Sequence, residues 1–350
     1  MTGTALLTHL AFAAALVALS AGITRVMIAI GVMDVPNHRS AHVRPTPKSG
    51  GIAVVITFLV GIALVYATSR FARPLEGTLI GFIAAAIGIA VVSFIDDVRP
   101  RSFLFKLVAQ VLAALVVLGF GLVVRSLSIP GFGEVHLGLW AYPLTLVWII
   151  GLTNAVNFMD GINGLTGGVC ALAAAMLAIF AHGAGAQFVY LSALILAASA
   201  AGFLVYNFPA GRIFLGDVGS QFLGFNLAVL AVIATQPDQG RLSFIVVPFL
   251  MFAFIFDVGF TLVRRILAGE NPAEGHHGHL YQVLGRSGVS RNLVTLLHYG
   301  FVVVAAGAVA VFLDEGARLN LVAVLLLLAV QVAYAFLVAR QARRAGLGRW

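Results

Sequence analysis

Asp96 and Asp97 stand side by side in FIDDVRP, at the end of an apolar run. Adjacent carboxylates repel unless a cation or a shared proton relieves them, and an acid at a helix C-terminus also opposes the helix dipole. A merely solvated helix end therefore explains the pair less well than a cation-binding role. Asn154, Asn157 and Asp160 recur every third residue in TNAVNFMDGINGL, which sets them on one helical face. Amide and carboxylate oxygens are the hard ligands Mg²⁺ prefers, although asparagines in a helix bundle can also simply join helices. The turn Gly161-Ile162-Asn163-Gly164 that follows can offer backbone N–H groups to an anion or a base edge. Asp217, in FLGDVGS, reads as a helix N-cap with Ser220 three residues on. A capping carboxylate still has an oxygen to give a metal.

Basic residues accompany these acids. Lys48 closes PNHRSAHVRPTPKSGG, where His38, Arg39, His42 and Arg44 lie between prolines. Such a rigid basic segment can clamp phosphates, or be an ordinary basic loop. Lys106 follows Asp97 closely enough to reach the same acids. His276, His277 and His279 lie in the segment 264–291. Without a cysteine beside them a zinc site is disfavoured, and beside a diphosphate they would serve as hydrogen-bond donors or cations. Asp257 sits inside an apolar run, as either a functional acid or a structural hydrogen-bonding group. Cys170, the one cysteine, reads as a small core residue.

What must position these groups is set by composition. The chain has 350 residues, 61% hydrophobic and 10% charged, with mean hydropathy +1.04. No soluble fold of this size hides so much apolar surface, so an all-α polytopic membrane protein is expected, as a single domain over residues 1–350. Apolar stretches long enough to cross a bilayer number about eleven: 5–31, 51–68, 78–95, 104–124, 139–157, 163–182, 187–206, 217–235, 243–266, 292–313 and 319–339. On this map sixteen of the 21 Lys and Arg residues fall on one side and five on the other. The positive-inside rule then predicts a cytoplasmic C-terminus, an outside N-terminus and all the polar motifs on the cytoplasmic face. The net charge of +8 is thus explained without nucleic acid. Residues 126–138, around Pro130-Gly131, predict a small hairpin on the outer side. A transporter of an anionic solute is the competing reading, but it needs a polar path across the membrane, and only Asp257 lies deep.

DVPNHRSAHVRPTPKSGG, FIDDVRP, NAVNFMDGINGL, YNFPAGRIFLGDVGS and HHGHLYQ, in this order, resemble the polyprenyl-phosphate N-acetylhexosamine-1-phosphate transferases over residues 34–282. The resemblance implies a bacterial inner-membrane enzyme. It would move a sugar phosphate from a UDP-N-acetylhexosamine to undecaprenyl phosphate, release UMP, and use Mg²⁺ or Mn²⁺. It implies metal-site roles for Asp217 and Asn157, catalytic roles for Asp96, Asp97 and Lys106, and substrate contacts for Lys48, Asn154, Asp160, Asn163, Gly164, His276 and His279. The segment 264–291 would recognise the donor sugar. The His-His-Gly-His order and Asn163 depart from the cell-wall branch of the family, and the loops resemble the branch that initiates O-antigen or exopolysaccharide synthesis. The resemblance is compatible with a homodimer.

Overall fold

Long runs of Ala, Leu, Val and Ile with few interruptions favour helix wherever backbone groups must be satisfied without water. In a computed structural model of the chain, residues 3–34, 45–69, 76–129, 133–237, 242–271, 277–314 and 317–348 are described. Their helices are α1 (Gly3–Ile30), α2 (Gly51–Thr68), α3 (Glu76–Val98), α4 (Phe103–Gly119), α5 (Ala141–Phe158), α6 (Leu165–Gly183), α7 (Gln187–Asn207), α8 (Gly216–Ile233), α9 (Val246–Leu250), α10 (Phe252–Leu267), α11 (Leu280–Arg286), α12 (Arg291–Asp314) and α13 (Ala317–Arg344). Among the described residues nine helices are long and apolar enough to cross a membrane. The 17-residue α4 and the pair α9–α10 account for the other two expected spans. The protein is an all-α, multi-pass membrane protein.

The expected span 243–266 is not one helix. It is interrupted at Met251, three residues after Pro248, leaving a five-residue α9 and a separate α10. The expected hairpin is present as the antiparallel strands β3 (Ser126–Ile129) and β4 (Gly133–His136), with Ser126 opposite His136. A second two-stranded pair was not anticipated. In it β1 (Met33–Asp34) pairs with β2 (Thr46–Pro47), each too short to give an alternating pattern.

Helix α8 is the axis of the bundle. Every residue from Val218 to Ile233 is buried, against α2, α3, α5, α6, α7 and α9. Lipid gives no hydrophobic drive for helices to associate, so close approach of backbones must supply the contact. At the start of α2 a Cβ added to Gly51 would lie 2.2 Å from the Gly219 nitrogen, an approach only glycine permits. Deeper in, Phe58 packs edge-on against Phe222 and Phe82, at 5.4 and 6.1 Å between ring centroids. By contrast α1, α10 and α13 expose Leu7, Leu10, Val263, Leu267, Phe336 and Leu337, as lipid-facing helices do.

The connectivity gathers helix ends. The C-termini of α3, α5, α7 and α10 and the N-termini of α2, α4, α6 and α8 lie at one end of the bundle. The segment after β2 is laced into this end. The Phe214 N–H donates to the Pro47 carbonyl at 2.7 Å, and the Gly50 and Gly51 N–H groups donate to the Phe214 and Leu215 carbonyls at 3.0 and 2.8 Å.

Candidate active site

Asp97, the penultimate residue of α3, accepts hydrogen bonds from the Asp217 and Val218 N–H groups, at 3.1 and 3.0 Å. These are among the first N–H groups of α8, which have no partner within their own helix. A buried carboxylate there is also favoured by the α8 dipole. Asp217 therefore does not cap its own helix, as its sequence suggests. Asp97 does so from 120 residues away, and the Asp217 side chain is freed to face other groups. Gly216 makes this possible. Its φ is +74°, and a Cβ there would lie 2.3 Å from the Lys48 carbonyl oxygen and 2.8 Å from Asp97 Oδ2.

Lys106 joins the acids. Its Nζ lies 2.9 Å from Asp217 Oδ2 and 3.2 Å from Asp96 Oδ2. Asp96 Oδ1 accepts the Arg101 N–H at 2.6 Å. Asn157 donates its amide to Asp217 Oδ1 at 3.1 Å and to Ser220 Oγ at 2.9 Å. Lys48 is near enough to Asp97 to act on its charge. One turn deeper, Gln110, Asn154 and Gln221 form an amide network. The Asn154 amide donates to Gln110 Oε1 at 2.6 Å, and Gln110 Nε2 donates to Asn154 Oδ1 and Gln221 Oε1 at 3.2 and 3.0 Å. Gln110 and Gln221 each follow Lys106 and Asp217 by four residues, so the network lies on the same helix faces. Asn154 is thus engaged between helices, and neither glutamine stood out in the sequence.

The turn into α6 is held rigidly. Gly164, at φ +78°, gives its N–H to Asn207 Oδ1 at 2.7 Å, and Asn207 in turn donates to the Ile213 carbonyl at 2.8 Å. That N–H is therefore not offered to an anion, contrary to the expectation for this turn, because the buried amide of Asn207 takes it. The Asn163 and Gly164 carbonyls accept from Thr295 Oγ1 and the Tyr299 hydroxyl, at 2.9 and 2.8 Å. The Asn163 side chain lies against Gly211, where a Cβ would meet its amide at 2.2 Å. Asp160, between α5 and α6, has its carboxyl pushed up to about 8, first by burial and then by the charges of Asp217 and Asp97.

His279 lies at the start of α11. Its Nδ1 is 3.2 Å from Asp257 Oδ1, and its ring runs nearly parallel to those of Phe158 and Tyr281, at 6.2 and 6.1 Å between centroids. The Tyr281 hydroxyl donates to the Phe158 carbonyl at 3.2 Å, tying α11 to the end of α5 beside Asn157. Arg265 is locked to Glu270 Oε2 and the Asn271 carbonyl, both at 2.8 Å. His276 lies outside the described residues, as does the loop 35–44 with His38, Arg39, His42 and Arg44.

The donor chemistry fits a hard divalent cation. Asp217, Asn157 and Asp160 supply only oxygen ligands, and the Lys106 ammonium shows that positive charge is already favoured between Asp96 and Asp217. Among the described residues no group of three His, Cys, Asp or Glu side chains is placed to hold a metal ion by itself, so waters and substrate oxygens would have to complete the shell. Mg²⁺ suits such a site, since it keeps waters and takes substrate phosphates as ligands.

A polytopic bundle with acids, lysines and a histidine gathered at one end has the parts of a membrane enzyme for phosphorylated substrates. The model of glycosyl transferase family 4 matches residues 79–235. A probable undecaprenyl-phosphate N-acetylglucosaminyl 1-phosphate transferase of Bacillus subtilis is 32% identical over 285 residues, covering 80% of this chain and 77% of its own. A decaprenyl-phosphate N-acetylglucosaminephosphotransferase of Mycolicibacterium smegmatis is 30% identical over 340 residues, covering 87% and 82%. A phospho-N-acetylmuramoyl-pentapeptide-transferase of Lactiplantibacillus plantarum is 32% identical over 199 residues, but covers 54% and 61%. The chain belongs to the polyprenyl-phosphate N-acetylhexosamine-1-phosphate transferases of glycosyl transferase family 4.

Proposed function

We infer that this protein transfers N-acetylglucosamine-1-phosphate from a UDP-sugar to undecaprenyl phosphate, at the cytoplasmic face, as the first step of a lipid-linked O-antigen or exopolysaccharide. The observation that carries the reading is the meeting of Lys106, Asn157, Asp96 and Asp217 on the ends of four helices that surround one polar point. Relatives of similar length named for N-acetylglucosamine transfer support the choice of sugar.

In this reading an oxygen of the lipid phosphate attacks the β-phosphorus of the UDP-sugar. The bond from that phosphorus to the bridging oxygen breaks, and UMP leaves with the electron pair. Phosphoryl transfer of this kind depends mainly on positioning and on stabilising charge. Lys106 holds positive charge where the phosphates meet. Asp97 accepts an α8 N–H at each oxygen, so it holds the start of α8 and with it the position of Asp217. A base is not required, because a phosphate monoester with a second pKa of about 6 is already mostly ionised at neutral pH. Asp217, Asn157 and Asp160 would hold Mg²⁺ or Mn²⁺, which when bound offsets charge on the diphosphate and the leaving UMP.

The test uses the purified protein with undecaprenyl phosphate and a panel of UDP-N-acetylhexosamines. UMP release and a lipid-linked product are expected with UDP-N-acetylglucosamine. Solute uptake into proteoliposomes, with no UMP release from any donor, would favour the transporter reading instead.

A further inference from the structure

We propose that Asp257 is a positioning residue for His279, fixing which imidazole nitrogen meets the substrate; this rests on the transferase reading above. Asp257 lies in α10 and is 1% exposed, so it touches no substrate itself. Its carboxylate accepts three hydrogen bonds and faces the His279 ring. Oδ1 takes the Leu280 N–H at 2.9 Å and the Thr261 hydroxyl at 3.2 Å, Oδ2 takes the Tyr281 N–H at 3.1 Å, and His279 Nδ1 lies 3.2 Å from Oδ1.

The two backbone donors from the start of α11 set the plane of the carboxylate before His279 is considered. With three donors already directed at it, the carboxylate acts as an acceptor toward His279, which places the proton of this contact on Nδ1. Whatever His279 does to a phosphate therefore goes through Nε2. The ring also lies against Phe158 and Tyr281 in offset, nearly parallel contacts. Phe158 directly follows Asn157, so the imidazole is presented at the same helix end as the acid cluster. A donor whose tautomer and orientation are set before the substrate arrives loses little free energy to reorganisation in the transition state.

A simple structural role predicts something different. If Asp257 only tied α11 to α10, its loss would harm a protein lacking His279 as much as the wild type. If it acts through His279, the two losses overlap. The experiment is a cycle of wild type, Asp257→Ala, His279→Ala and the double variant, each assayed for UMP release under saturating donor and acceptor. We expect kcat to fall about 10–100-fold in Asp257→Ala, as for other groups that orient a functional histidine. The double variant should be no slower than His279→Ala. Losses that multiply would overturn the proposal. Should Asp257→Ala fail to fold, Thr261→Ala removes one donor to the same oxygen. It should cost about two- to tenfold in the wild type and nothing in the His279→Ala background.

A second readout is independent of turnover. In ¹⁵N-histidine-labelled protein, the His279 signal, identified by its absence in His279→Ala, should report the Nδ1–H form and change in Asp257→Ala. An Nε2–H form in the wild type would overturn the proposal. Were the wild type to release no UMP, the transferase reading would fail, while the tautomer would still decide the role of Asp257.

Discussion

Replacing Lys106 with methionine removes one charge and keeps the length and apolar stem of the side chain. Its Nζ sits 2.9 Å from Asp217 and 3.2 Å from Asp96. At an effective dielectric constant of about 20 each contact is worth about 5–6 kcal/mol of attraction, most of it offset by desolvation. Breaking a buried pair by deleting one partner typically costs about 3–5 kcal/mol. Here the side chains of Lys106 and Asp217 are 25% and 27% exposed, so water screens part of the effect. The expected loss of stability is about 2–3 kcal/mol. Turnover should fall about 10²–10³-fold, as when one preorganised donor to a developing oxyanion is lost. A further signature separates this from general damage. Asp96 and Asp217, left without their cation, should bind a divalent ion more tightly, so the Mg²⁺ concentration giving half-maximal residual activity should fall. The assays are denaturant unfolding in detergent and UMP release across a Mg²⁺ series. Near-normal turnover, or a raised Mg²⁺ requirement, would refute the assignment of Lys106 as the cation that bridges these acids.

Three further outcomes follow from the geometry. Asp97→Asn keeps one acceptor oxygen but turns an N–H₂ toward an α8 N–H, so unfolding should show a loss of about 2–3 kcal/mol, and unchanged stability would remove its role at that helix end. Asp160 has its carboxyl raised to about 8 by burial and by Asp217 and Asp97. Below that pH a cation must displace its proton, so apparent Mg²⁺ affinity should rise up to about tenfold per pH unit and level off above it. Asp160→Asn should abolish that slope, and a slope that persists would show that another group titrates. Gly164→Ala places a Cβ at φ +78° and 2.4 Å from the Phe208 ring, so it should lower stability by about 2 kcal/mol or more, measured by unfolding, and a neutral result would mean the turn relaxes freely.

The spans were legible because hydropathy is a local property. The 51–68 stretch became α2 with the same limits, and the 126–138 segment formed two paired antiparallel strands. The reach of Lys106 to Asp96 was also readable, since α3 and α4 are consecutive, but its contact with Asp217 on α8 was not. Partnerships across the fold were not. Gln110 and Gln221 are 111 residues apart, and nothing in either flanking sequence marks a buried amide pair. Asp217 resembled a cap because its local spacing fits one, but Asp97 took that role from another helix. Asn207 and Asp257 share this character. Each satisfies backbone groups of a segment distant in sequence, and that need becomes visible only when the segments meet.

The central claim is that a sugar phosphate, not a bare sugar, is transferred at the point held by Asp217, Asn157 and Lys106. UDP-N-acetylglucosamine labelled with ³²P at the β-phosphorus tests this directly, with undecaprenyl phosphate as acceptor. The label should move into the lipid fraction with the wild-type protein and stay with the nucleotide sugar in Asp217→Asn. Label recovered as UDP while the sugar enters lipid, or transfer unchanged in Asp217→Asn, would contradict the account.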